Sequence, residues 1–273
     1  MTSSTATTTG QPPLALDQLR ILVARCLRTS MRVPQLLMFS LTMPMAMLVL
    51  FSQVFRSVAD GPSFPASVSY IDFLTPAMLA VSTVMAGTNA GVAAAIDHAN
   101  GLHGRFGTLP MSPWLPGIAR MINESLITLV RAALLLAAAA ALGFRFHGSM
   151  LDAVSGILVV VILAAAMSAL FGEIGDHLRR PDVVQFAGMM IMMPLMFLSA
   201  AFAPLNTMPG WMHTVATFNP VDHAIGALRA EVLGTATPLD TVVALGAAAA
   251  LWLVVAVYTA GARRFGSRRS PRR

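Results

Sequence analysis

Six stretches of this sequence run for about twenty residues or more with almost no charge: 33–55, 73–96, 118–144, 153–172, 184–203 and 241–262. A helix needs roughly 20 apolar residues to cross the hydrocarbon of a bilayer. Lipid cannot satisfy free backbone N–H and C=O groups, so only helices and closed barrels cross it. These runs are continuous, without the strict alternation of a half-buried strand, and that selects helices. The expectation is an all-α integral membrane protein with six transmembrane helices, its membrane domain filling 33–262. Charged residues make up 11% of the chain, against about 25% in soluble domains.

Six spans put both termini on one side, and the basic residues say which. All 18 are arginines. If the N-terminus, the 97–120 and 173–183 loops and the basic 263–273 tail are cytoplasmic, that side holds fourteen of them. The other side holds three, Arg56, Arg145 and Arg229, and Arg131 lies inside the third run. The positive-inside rule then orients both termini inward. The same rule accounts for the net charge of +6 and the pI near 11.1 without any nucleic-acid partner.

With no lysine, the chain cannot hydrolyse ATP through a P-loop, whose lysine holds the β/γ-phosphates. Schiff-base chemistry is excluded for the same reason. Cys26 is the one cysteine, so neither an intramolecular disulfide nor a thiolate metal cluster is expected. His98 and His103 are five residues apart, off one helical face, and no HExxH or Ser-His-acid set stands out. No catalytic residue, metal or cofactor is therefore expected.

Residues 1–13 are polar and uncharged and read as a disordered tail. Over 14–32, Leu19, Leu22, Val23, Cys26, Leu27 and Met31 recur at helical spacing, with Arg25, Arg28 and Arg32 on the other face. This predicts an amphipathic helix lying at the membrane interface; the alternative is an extension of the first span.

The polar break at 97–120 is about five times longer than a simple turn between helices. It carries Arg105 and Arg120, and Leu102, Phe106, Leu109 and Met111 give it a buryable face. Such a loop is built to touch a partner. Arg and aromatic side chains dominate interface hot spots, which favours Arg105 and Phe106 as contacts. The competing role for the two is topology and local packing.

Glu124 and Arg131 lie within the third run, seven residues apart and so about 10 Å along a helix axis. That separation predicts no direct bond. An arginine at mid-membrane costs roughly 2.5–3.5 kcal/mol on insertion scales, so Arg131 is expected to face the bundle interior, a neighbouring span or a wet cavity. Glu124, nearer the boundary, reads as a residue of the cavity entrance. Thr88 and Asn89 read as packing residues, and Met189, Met190, Met192, Met193 and Met196 chiefly as core filling.

Residues 206–240 are too apolar for a plain outer loop, with Trp211, Phe218, Val221, Ile225, Leu228 and Val232. Two short helices broken at Asn219-Pro220 are expected, because Asn caps helices and Pro is tolerated at the first helical position.

Three segments together resemble one family, the permease subunits of ABC type-2 exporters, and among them the daunorubicin-resistance type. The first is Asp97, Gly101 and the run Arg105-Phe106-Gly107-Thr108-Leu109-Pro110-Met111. The second is Leu198 to Pro204 followed by Thr207-Met208-Pro209-Gly210-Trp211, and the third is Asn219-Pro220-Val221 through Arg229. Order and spacing agree over about 30–262. The chain departs at Ala99 and Asn100, where many such permeases have a glutamate before the glycine, and at Gly107, a commonly basic position; both changes lower the charge of the loop.

The resemblance implies a cytoplasmic coupling helix between spans two and three and a re-entrant outer hairpin before span six. It also implies a second permease copy, identical or different, and two copies of a separate ABC ATPase subunit. Asp97, Gly101, Arg105, Phe106, Leu109 and Pro110 then belong to the ATPase-coupling loop, and Trp211, Asn219, Pro220 and Arg229 to the hairpin. The implied function is export of a hydrophobic or amphipathic, drug-like small molecule from the cytoplasm or inner leaflet of the bacterial cell membrane. A lipid or polysaccharide export permease of the same fold is the alternative, and a membrane scaffold or enzyme the alternative from another class.

Overall fold

The computed structural model describes residues 15–32, 34–55, 68–101, 112, 114–202 and 209–267, and all the regular structure among them is helical. In chain order the helices are α1 (Ala15–Met31), α2 (Pro34–Val54), α3 (Tyr70–Ala99), α4 (Leu115–Ala141), α5 (Met150–Leu178), α6 (Pro181–Phe197), α7 (Gly210–Ala216), α8 (Pro220–Leu233) and α9 (Pro238–Ser267). By length and composition α3, α4 and α5 are long and apolar enough to cross a membrane. Shorter apolar helices run over Ser40–Val54, Pro181–Phe197 and Pro238–Val254. The 1–13 tail, residues 102–111 with Arg105, Phe106, Leu109 and Pro110, and the end of the basic tail lie outside the described residues.

Local chemistry sets the helix ends. Ser69 caps α3 by accepting a bond from Asp72 N at 3.2 Å. Ser149 and Asp152 form a reciprocal capping box at the start of α5, with bonds of 3.3 and 2.7 Å. Proline stands at the first position of α6 and of α8, where its missing N–H costs nothing. α3 stops at Asn100, and Gly101 carries the chain out of it with φ +69°, a conformation that favours glycine.

α3 is the central post, buried along most of its length and packed on α2, α4, α5, α6 and α8. Its closest neighbour is α5. At their crossing a β-carbon on Gly91 or on Gly175 would collide with the facing main chain, so glycine is what lets these backbones touch. Leu74, Met78, Leu135, Leu163, Met167, Phe171 and Ile225 belong to the core that runs along α3.

α1 is a separate helix seated on the start of α4, where Leu22, Leu115 and Ala119 are buried together and Leu19 and Val23 pack against them. Arg25, Arg28 and Met31 are exposed. The methionines of α6 divide. Met196 is buried, but Met189, Met190 and Met193 are exposed, so core filling is wrong for those three. They share an outward stripe with Phe186 and Phe197, while Val184, Gly188 and Met196 face α3. Thr88 packs against Gly188 in that contact, whereas Asn89 points out.

Candidate functional site

Polar groups gather at three levels of this apolar bundle. The first level flanks the 102–111 segment, where α3 ends and α4 begins. Asp97, in the last turn of α3, faces the negative end of that helix dipole and needs cations nearby. Arg25 of α1 stands 3.7 Å from its Oδ1, and Arg120 of α4 stands 3.8 Å from its Oδ2. Arg120 turns its other nitrogen toward Asp176 of α5 at 3.9 Å, and His98 of α3 lies 3.9 Å from the same oxygen.

Two carboxylates and two guanidinium groups thus join four helices in one charge-balanced knot. The separations exceed hydrogen-bond length, so the groups are held by charge and leave freedom to slide. Gly172 of α5 gives the Arg120 guanidinium its room, since a β-carbon there would stand 3.3 Å from Nη1. Beside the knot, burial pushes the Cys26 thiol up; Arg120 and Arg25 oppose that and Asp97 adds to it.

The second level lies inside α4. Arg131 Nη1 donates to Glu124 Oε1 at 2.5 Å, and both side chains are buried. This corrects the expectation of no direct bond. Side chains on a helix lean toward its N-terminus, so Arg131 reaches back along its own helix toward Glu124 and spans the gap. Arg131 does face the interior, but Glu124 is as buried as Arg131 and is not an open entrance residue. Thr128 sits one turn from Glu124 on the same face, and its Oγ1 and Arg131 Nε are buried without hydrogen-bond partners. Asn123 donates to Ser30 Oγ at 3.3 Å and ties this helix to the end of α1.

The third level is a clasp between α8, the end of α6 and the start of α3. Asn219 caps α8 by accepting a bond from Val221 N at 3.0 Å. Its amide donates to Leu195 O at 2.7 Å and Leu198 O at 3.0 Å, two of the carbonyls that the end of α6 leaves unpaired. Asp222 accepts from Ala200 N at 2.7 Å. Arg229 donates to Ala200 O at 2.8 Å and to Phe73 O at 3.3 Å, with its guanidinium 3.5 Å over the Phe73 ring. Asp72, at the start of α3, accepts from Arg145 N at 2.9 Å.

The structure therefore brings Asn219 and Arg229 together with Asp222, which sequence reading did not single out. Pro220 opens α8 as expected, and Val221, Ile225, Leu228 and Val232 form its buried face. Trp211, on α7, is exposed and joins none of the three polar levels among the described residues. Asp97 and Gly101 stand at the root of the 102–111 segment. Asp176 was missed because its partners come from helices remote in sequence; its only local signal is a polar residue in the last turns of an apolar helix.

A family description, ABC-2 type transporter, matches residues 17–233, from α1 to the end of α8. Among similar proteins is the Daunorubicin resistance ABC transporter permease protein DrrB1 of Streptomyces coeruleorubidus, 30% identical over 219 residues, which are 80% of this chain and 75% of that one. The Probable doxorubicin resistance ABC transporter permease protein DrrC of Mycobacterium tuberculosis is 30% identical over 134 residues, 49% of this chain and 48% of that one. The Putative transport permease ycf38 of Porphyra purpurea is 24% identical over 218 residues, 78% of this chain and 73% of that one. The family match takes in all three polar levels, and with it the apolar helices are those of a multi-pass membrane protein that works with an ATPase subunit: the chain belongs to the ABC-2 type transporter family.

Proposed function

We propose that this chain is the membrane permease subunit of an ABC exporter, moving a hydrophobic or amphipathic, drug-like compound out of the cytoplasm or inner leaflet. Relatives named for daunorubicin and doxorubicin resistance support the substrate class. ATP is hydrolysed by a partner chain, in keeping with a sequence that has no lysine for a P-loop.

In this reading α2, α3, α4, α5, α6 and α9 are the six spans of a bacterial cytoplasmic membrane protein with both termini inside. α1 lies at the inner interface, and α7 with α8 is a re-entrant outer hairpin. α6 rises about 25 Å over its 17 residues, and the turn that follows it to Phe202 supplies the rest of the crossing. Two permease copies pair, each docking the 102–111 segment, with Arg105, Phe106, Leu109 and Pro110, into one of two ATPase copies. Glu124 and Arg131 lie beside the translocation path or the seam between copies.

The observation that carries the proposal is the Arg25–Asp97–Arg120–Asp176 knot at the root of that segment. A push on 102–111 reaches α1, α3, α4 and α5 at once, through contacts loose enough to rearrange. Nucleotide-driven closure of the ATPases then tilts spans to open the pathway outward.

The test is purification of the tagged chain from its native membrane in mild detergent, with identification of what accompanies it and an assay of Mg-ATP hydrolysis. A P-loop subunit is expected to co-purify, and Arg105→Ala with Phe106→Ala is expected to lose it while membrane insertion stays intact. A permease that retains its ATPase through both substitutions contradicts the coupling role, and one that never carries an ATPase contradicts the function.

A further inference from the structure

α8 carries a second carboxylate that takes no part in the clasp. Glu231 lies in its last turn, 1% exposed, with its side chain directed between α5 and α9. Oε1 accepts a long bond of 3.3 Å from Thr241 Oγ1 of α9. Oε2 is buried and, among the described residues, accepts no hydrogen bond of good geometry. A β-carbon on Gly156 of α5 would stand 2.7 Å from Oε2, so the carboxyl fills the notch that this glycine leaves. Gly148 lies against the Glu231 carbonyl just as tightly, which seats α8 close on the start of α5.

Among the described residues no cation pairs with this carboxyl. The charged and titratable groups on the elements packed against α8 at this end are Asp152 on α5, Asp240 on α9, Tyr70 and Asp72 on α3, and Arg145 and His147 in the α4–α5 connection. Asp222, His223 and Arg229 lie on α8 itself. None of them forms an ion pair with Glu231 among the described residues, and the Arg229 side chain is engaged at Phe73 and Ala200. Asp152 is the nearby charge that bears on Glu231, and it has the same sign.

Burial without a counter-charge disfavours the ionised form of such a carboxyl and favours the protonated one. The notch is full, and no group of three or more metal-ligating side chains exists among the described residues. A metal or an organic ammonium has no place to sit, whereas a proton needs none.

We propose that Glu231 is a proton-binding site that latches α8 to α5 and α9, occupied while these helices are packed and emptied when α8 moves away and water reaches the carboxyl. The inference needs only the packing of α8, not the sidedness or cargo of the protein. Burial raises the carboxyl above its usual 4.5, with hydroxyl contacts from Ser155 and Thr241 opposing and Asp152 adding. The packed state therefore binds the extra proton. Its advantage is complete below pH 4.5 and declines as pH rises toward the packed-state value.

The test uses the full-length chain in lipid vesicles, labelled with ¹³C-carboxyl glutamate. Only Glu124, Glu173 and Glu231 take the label. Infrared spectra recorded as pH is raised from acid are expected to show a protonated carboxylic C=O band that shifts with the label and outlasts the pH at which an exposed glutamate ionises. The band persists in Glu124→Gln and Glu173→Gln and is lost in Glu231→Gln. Hydrogen exchange of the α8 amides, corrected for intrinsic rates, is expected to rise over the same pH range in the native chain and to stay flat in Glu231→Gln. If Glu231→Gln does not fold, the native chain with the other two variants still decides. Glutamates that all ionise in the ordinary range, or a late-titrating acid band lost with Glu124 or Glu173 instead, overturns the proposal.

Discussion

At the α8 end of the bundle, Asn219, Asp222 and Arg229 grip main-chain groups at the end of α6 over 2.7–3.0 Å. At the α1 end, Arg25, Asp97, Arg120 and Asp176 face one another over 3.7–3.9 Å, and the first two are partly solvent-exposed. Both ends join several helices through polar side chains, yet the physics differs. A backbone carbonyl is fixed by its helix, and leaving it buried and unpaired costs free energy, so the clasp holds one geometry. Side-chain ion pairs near water trade partners at little cost, so the knot tolerates several geometries. The α1 end is suited to shift readily, and the α8 end to move only when its clasp and the Glu231 contact release together.

The Glu124–Arg131 pair between them sets the upper scale. Arg131→Leu leaves a buried carboxylate uncompensated and is expected to destabilise the chain by about 3–5 kcal/mol, whereas Glu124→Leu with Arg131→Leu recovers most of that loss. Unfolding in detergent against denaturant measures both; equal losses for single and double variants break the assignment of a true pair. Arg229→Ala comes next, at about 2–3 kcal/mol, because it strips the Phe73 and Ala200 carbonyls of a charged donor and uncovers the Phe73 ring. Arg229→Lys is expected to fall between, since a compact ammonium does not serve ring and carbonyls together.

How far these features were legible in the sequence follows the same division. The apolar runs mark the helices because crossing lipid is a demand on each segment alone, and the Asn219-Pro220 break was readable because capping involves only residues two or three apart. The helix ends were less so: α3 and α5 each extend beyond their apolar run at both ends, since Ser69 and Ser149 set the first turns. The Glu124–Arg131 bond was misjudged because distance along the axis ignores the backward lean of a long side chain. Asp176 with Arg120, and Arg229 with the carbonyls of Phe73 and Ala200, depend on which helices pack together and on where α6 unwinds. No spacing within the sequence encodes either.

Smaller effects belong to the α1 end. Asp97→Asn is expected to change stability by less than about 1 kcal/mol, and the difference shrinks further in high salt. A loss as large as that of Arg229→Ala would show that the knot is as rigid as the clasp. Smallest is the response of Cys26. Burial holds its thiol above the ordinary 9.0, so alkylation near pH 8 is expected to be slow. Because Asp97 contributes to that rise, Asp97→Asn is expected to speed alkylation, by less than about tenfold, the equivalent of one pKa unit. A slower rate would mean that Asp97 does not act on α1 in this way.

The central claim is that the segment rooted in the knot is where energy enters from another chain. Photo-cross-linking from an unnatural amino acid at position 106, in native membranes with and without Mg-ATP, tests it most directly. The account predicts an adduct with a P-loop ATPase whose yield changes with nucleotide. Adducts to lipid alone, or to the same chain whatever the nucleotide, would contradict it.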